Sequence, residues 1–237
     1  MKEVNRMKSK IRLLGNAFPG LSDRLFFLCG VLMLGSELWK QLTLTFSVGG
    51  GAYNWWYFPF QLCSIPMYVL LLYPWFRQNR IRRALLTFLM CYGLLGGLAA
   101  FADQSGLHYP AAPLTLHSYL WHILLILVGV GAGITYGRLQ PSPSFRRPFP
   151  LRPFLHATAL YLGCCCTAEV LNLTLDRFGT INMFYINPNY PMQQIVFRDL
   201  IPYLGNIPVI LLYIAASILG AFLLFLVWKI VFRFFRY

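Results

Sequence analysis

The stretch from Leu204 to Phe232, LGNIPVILLYIAASILGAFLLFLVWKIVF, contains a single charged residue, Lys229, and that one lies close to its end. A helix rises 1.5 Å per residue, so an unbroken helix of this length exceeds the hydrocarbon core of a bilayer, about 30 Å thick. The stretch reads as a membrane-crossing helix, and the same reading extends backwards along the chain. Further apolar runs cover Leu25 to Phe46, Tyr53 to Phe76, Ala84 to Phe101, Leu114 to Tyr136 and Phe154 to Leu173, none with Lys or Arg in its middle. The expected fold is all-α: a single domain spanning residues 1–237, with six transmembrane helices in one bundle. The third run is the shortest and carries Gly93, Gly96 and Gly97, which favours close packing against a neighbouring helix.

Composition agrees. Hydrophobic residues make up 58% of the chain and charged residues 11%, against about 25% charged in soluble domains. The basic start, Lys2 to Arg12, leads after a Pro-Gly interruption into a full-length apolar run rather than a short one with a small-residue site, so no cleavable signal is expected. The net charge of +13 would suit nucleic acid only if the cations shared one soluble face. Instead they alternate between the apolar runs. Lys2 to Arg24, then Arg77, Arg80, Arg82 and Arg83, then Arg138, Arg146, Arg147 and Arg152, then Lys229, Arg233 and Arg236 fall on one side. The other side has only Lys40, Arg177 and Arg198. Because positive loops are retained in the cytoplasm, both termini are expected there. Gln140 to Pro153, rich in Pro, Ser and Arg, reads as a cytoplasmic linker. The outer connection from Asp176 to Pro202 is expected to form a lid or re-entrant cap. Internal repeats and heptads are absent.

Ionisable groups inside a membrane are costly, so each is a functional candidate. At 1.5 Å per residue, Cys63 in the second run and His122 in the fourth both lie roughly 12 to 15 Å from the outer surface. Glu37, Glu169 and Asn172 fall in the same outer half. Steps of three and four from His122 reach Ser118, Leu125, Gly129 and Gly133, a packing face. Cys165, Glu169, Asn172 and Asp176 form a polar stripe on the fifth helix. Pro59 and Pro66 remove backbone donors around Cys63 and loosen the second helix there. A thiol beside an imidazole with a carboxylate behind it is equipment for acyl transfer. Blander readings stand beside this one: Cys63 as a small core residue, His122 as an interhelical hydrogen-bonding group, and Glu37 and Glu169 as protonated structural acids. His117 reads as an interfacial or substrate-edge residue. Cys164, Cys165 and Cys166 read as packing rather than as a zinc site, and Trp55, Trp56 and Tyr57 as an interfacial belt.

The stretch Phe58-Pro59-Phe60-Gln61-Leu62-Cys63-Ser64-Ile65-Pro66 resembles the YwaF-like family of bacterial integral membrane proteins, whose eukaryotic relatives include a membrane acyltransferase acting on ether phospholipids. Leu116-His117-Ser118-Tyr119-Leu120-Trp121-His122 and Thr180-Ile181-Asn182-Met183-Phe184, followed by Pro188, add to the likeness, which covers roughly Leu25 to Trp228. The resemblance implies a multi-pass protein of a bacterial cytoplasmic membrane and acyl transfer through Cys63 and His122. It departs at Gln61, where the family commonly has His; a hydrogen-bonding role survives that change and a titrating one does not.

The expectation is therefore a lipid acyltransferase with Cys63 as nucleophile and His122 as base. Glu169 or Glu37 would orient the imidazole, and Asn172 or Gln61 would hold the oxyanion. His117, Ser118 and Asn182 would lie at the substrate edge, and a membrane phospholipid or lysophospholipid would be the partner. Nothing in the chain calls for a cofactor, a metal or a nucleic acid. The alternative is a small-solute transporter or substrate-binding membrane subunit in which Glu37, His122 and Glu169 bind ligand or protons; a non-catalytic membrane partner is a third reading.

Overall fold

The computed structural model describes residues 20–139 and 150–234. The basic arm Lys2 to Arg12, most of the Gln140–Pro153 linker and Arg236 lie outside them. The described residues form helices, turns and loops without a strand. Five helices are long and apolar enough to cross a membrane: α1 (Leu21–Val48), α3 (Asn79–Ala102), α4 (Ala112–Arg138), α5 (Arg152–Phe178) and α6 (Asn206–Phe234). Between the first two lies the shorter apolar helix α2 (Ile65–Trp75).

Helix α2 corrects the expectation of a full helix over residues 53–76. Trp55–Tyr57 makes only a single 3-10 turn, with the Asn54 side chain accepting the Trp56 N–H at 3.1 Å, and residues 58–64 are irregular. The prolines account for the break. Pro59 denies the helix a donor, whereas Pro66 sits in the first turn of α2, where a missing N–H costs nothing.

Arg82, in the first turns of α3, bonds to Asp23 at the start of α1 and to the Tyr73 hydroxyl at the end of α2 (2.9 Å). Its guanidinium lies 4.2 Å over the Tyr73 ring. The start of α1, the end of α2 and the start of α3 therefore share one level. Arg83 donates to the Leu139 carbonyl at 3.2 Å and Arg80 lies 2.8 Å from His156, which adds the end of α4 and the start of α5 to this cationic end. At the opposite end the loops meet: Tyr57 stacks on Tyr109 at 5.1 Å, and the Ile195 N–H points to Asp103 at 3.4 Å.

Gly93 and Gly97 of α3 and Gly129 and Gly133 of α4 pack tightly, as their spacing predicts, whereas Gly96 makes only ordinary contact with Leu62. A Cβ on Gly97 would sit 3.2 Å from the His122 carbonyl, and one on Gly93 3.3 Å from Pro66. α3 widens into a π turn over Leu89–Gly93, and the Trp228 indole N–H donates to the Met90 carbonyl there at 3.0 Å. The same indole lies so close over Gly133 that any side chain there would overlap it. Facing outward are Leu25, Leu28 and Leu32 of α1, Leu116, Leu120 and Leu127 of α4, and Leu211, Leu219 and Leu223 of α6, all largely exposed. Facing inward are Asp23, Glu37, His122 and Asn172, all buried. Water would penalise that outer surface and hydrocarbon does not.

Candidate functional site

The three stretches 58–66, 116–122 and 180–184, far apart in the chain, meet at one place. The Trp121 indole N–H donates to the Cys63 carbonyl at 3.1 Å, holding the irregular segment before α2 against α4. Gln61 reaches the loop between α5 and α6 with both halves of its carboxamide: Nε2 donates to the Asn182 carbonyl at 2.9 Å, and Oε1 accepts the Phe184 N–H at 2.7 Å. From the other side Asn172 of α5 accepts the Met183 N–H at 2.6 Å and donates to the Met183 carbonyl at 3.2 Å. Asn187 donates to the Ile181 carbonyl at 2.7 Å. Asn206, at the start of α6, binds the carbonyls of Pro188 and Tyr190 and the N–H of Met192. Inside this grip Phe184 and Tyr185 hold positive φ, 57° and 58°, a left-handed conformation that bulky residues adopt only when their surroundings enforce it.

His122 is buried, and its Nδ1 lies 2.7 Å from the Ser118 carbonyl. A carbonyl can only accept, so Nδ1 carries the proton and Nε2 of the neutral ring is the acceptor. Ser118 is thus adjacent through its backbone rather than its hydroxyl. The Cys63 side chain is half-buried, and no hydrogen bond joins it to His122 among the described residues. Trp121, the chain neighbour of His122, holds the Cys63 backbone against α4.

Neither carboxylate orients His122. Glu37 accepts from Lys40 at 2.8 Å and from Gln41 at 2.7 Å, while Glu169 faces the Asn172 amide at 3.4 Å. The Ser118 carbonyl fills the orienting role because it lies one helical turn before the ring, nearer than any acid. Asn172 and Gln61, expected as oxyanion donors, are instead engaged with the loop. The polar stripe of α5 serves the same end, since Asp176 accepts from the Tyr190 hydroxyl at 2.6 Å.

Two expected substrate-edge groups retain hydrogen-bonding capacity. The Asn182 Oδ1 accepts the Asn187 N–H at 3.0 Å, but its buried Nδ2 has no partner among the described residues. Both buried ring nitrogens of His117 likewise have none. The His117 ring lies 5.6 Å from both Trp39 and Trp121 and lines a groove of about 430 Å³ between α1 and α4, shared with Ser36, Leu116, Leu120 and Leu124.

Sequence reasoning overlooked Lys40, which it used only for topology. The Lys40 charge acts electrostatically on Cys63, His117 and His122 alike. Its signal was present: a lone cation at the outer part of an apolar helix, three residues after an acid. Comparison with protein-family profiles, with curated proteins and with solved structures found no match to this chain.

Proposed function

We propose that the protein is a lipid acyltransferase that carries the acyl group on Cys63. The observation that carries this reading is the meeting of stretches 58–66, 116–122 and 180–184, which sets a half-buried thiol beside the helix bearing a histidine with an acceptor nitrogen. The Nε2 of His122 takes the Cys63 proton as sulfur attacks the ester carbonyl of a phospholipid. The C–O bond breaks, the same proton passes to the departing glycerol oxygen, and a thioester and a lysophospholipid result. In the second half His122 takes the proton of an acceptor hydroxyl, whose oxygen attacks the thioester and releases the thiol. Lys40 and the Asn182 amide supply positive charge and a donor for the developing oxyanion. The groove beside His117 gives a lipid lateral access from the hydrocarbon.

The proposal includes six crossings, with α2 and the irregular 53–64 segment together forming the second, and both termini in the cytoplasm of a bacterial cell. The shared level of Asp23, Tyr73 and Arg82 supports the second crossing, and the arginine-rich end supports the orientation.

The test is intact-mass analysis of purified, detergent-solubilised protein incubated with a phospholipid carrying a traceable acyl chain. A hydroxylamine-sensitive adduct is expected in the parent, absent in Cys63→Ala and strongly reduced in His122→Ala. No adduct with any lipid tested, and no difference between parent and variants, overturns the catalytic reading. Buried Glu37, paired with Lys40, favours a second reading, solute or proton binding, in which ligand protects the protein without covalent attachment.

A further inference from the structure

The cationic end of the bundle contains a cleft of about 430 Å³ between the first turns of α3 and α5, lined by Asn79, Arg80, Arg83, Arg152, Pro153 and His156. Like charges are gathered there without relief. The chain has seven carboxylates, of which only Asp23 lies at this end among the described residues, and Arg82 already occupies it. No ion pair joins Arg80, Arg83 or Arg152 to an acid among the described residues. Among the described residues Arg80 bonds only to His156, and Arg83 only to the Leu139 carbonyl. A guanidinium can only donate, so the His156 Nε2 accepts and its Nδ1–H remains a donor. Two helix N-termini, each a partial positive charge with free N–H groups, open onto the same space.

We infer that this cleft binds an anionic phosphate, presented by a phospholipid headgroup. Phosphate matches the forked donors of the arginines and the N–H groups of the helix starts. A lipid rather than a soluble phosphate is favoured by what adjoins the cleft. Leu151, Leu155 and Leu162 are exposed and share one face of α5, so acyl chains could run along them from a headgroup held at Arg152. The site lies at the opposite end of the bundle from Cys63 and does not depend on acyl transfer.

The test is native mass spectrometry of the detergent-solubilised full chain, titrated with phosphatidic acid or with phosphatidylcholine, each with and without inorganic phosphate. Arg80→Gln combined with Arg152→Gln is compared with the charge-matched pair Arg138→Gln and Arg233→Gln, exposed arginines outside the cleft. All four side chains are exposed, so both variants should retain the parent's melting temperature. Phosphatidic acid is expected to bind the parent in preference to phosphatidylcholine, and removing two guanidiniums from the cleft should weaken it about thirtyfold. The charge-matched pair should change it little. Equal weakening in both variants would mean diffuse attraction and overturn the site. Complete displacement by inorganic phosphate, with no preference between the lipids, would overturn the headgroup as the source.

Discussion

Asn172 commits both atoms of its carboxamide to one residue, Met183, and both bonds are buried. Asn172→Leu leaves a buried N–H and C=O unpaired and is expected to cost about 2 to 4 kcal/mol, read as a lower melting temperature in detergent. A second residue-scale test concerns Val196, which is exposed at φ 72° although β-branched side chains resist that conformation. Val196→Asn, a residue that tolerates positive φ, should raise stability by about 1 kcal/mol in the same assay. Asp103 caps the loop after α3. Burial alone would raise its pKa, but hydrogen bonds from the Ser105 hydroxyl and N–H and from the Ile195 N–H outweigh this and hold it below its ordinary 3.8. A lowered folded pKa stabilises above the ordinary value, and that benefit fades as pH falls through the folded one. Parent and Asp103→Ala melting temperatures should therefore differ near neutrality and converge below pH about 4. At this scale the sequence singled out Glu37, His122 and Asn172, which are buried, but not their partners. Gln61 and Phe184 lie far apart in the chain, and no local pattern encodes their meeting.

Elements pack here through single contacts that tolerate little change. Gly133 of α4 lies directly under the Trp228 indole, so Gly133→Ala must displace that ring and its bond to Met90, at a cost of about 1 to 3 kcal/mol. Gly163 of α5 has nothing within 4 Å of a Cβ position, so Gly163→Ala should be neutral or slightly stabilising. The pair of melting temperatures separates packing from helix propensity. Five helices were legible because long apolar runs between charged blocks have one stable form in lipid. The boundary of α2 was not. Pro59 and Pro66 signalled a loosened helix, yet whether a proline bends or ends a helix depends on other groups that can take over the freed backbone. Here the Gln61 and Trp121 side chains hold the irregular segment in place.

Across the whole molecule, charge separates the two ends. Arg138 and Arg198 are both exposed and lie at opposite ends of the bundle. With six crossings, a membrane-impermeant maleimide applied to intact cells should label Arg198→Cys, while Arg138→Cys should react only after permeabilisation, each scored against the parent's own cysteines. Labelling of both from outside would overturn the proposed topology. The proposed topology rests on the alternation of cations in the sequence, because orientation follows loop charge. Lys40 escaped notice for the same reason: counted as a loop charge, it gave no sign that its field reaches the thiol and both histidines.

The irregular segment before α2 also bears on synthesis. A nascent chain emerges from its N-terminus, and α1 can settle in lipid with its own backbone satisfied. Residues 58–64 cannot, because the carbonyl of Cys63 is met by Trp121 and Gln61 has its partners at Asn182 and Phe184. The ribosome must add more than a hundred residues before this segment finds its final form. Until then the polar groups of that segment lack the partners that the finished fold gives them.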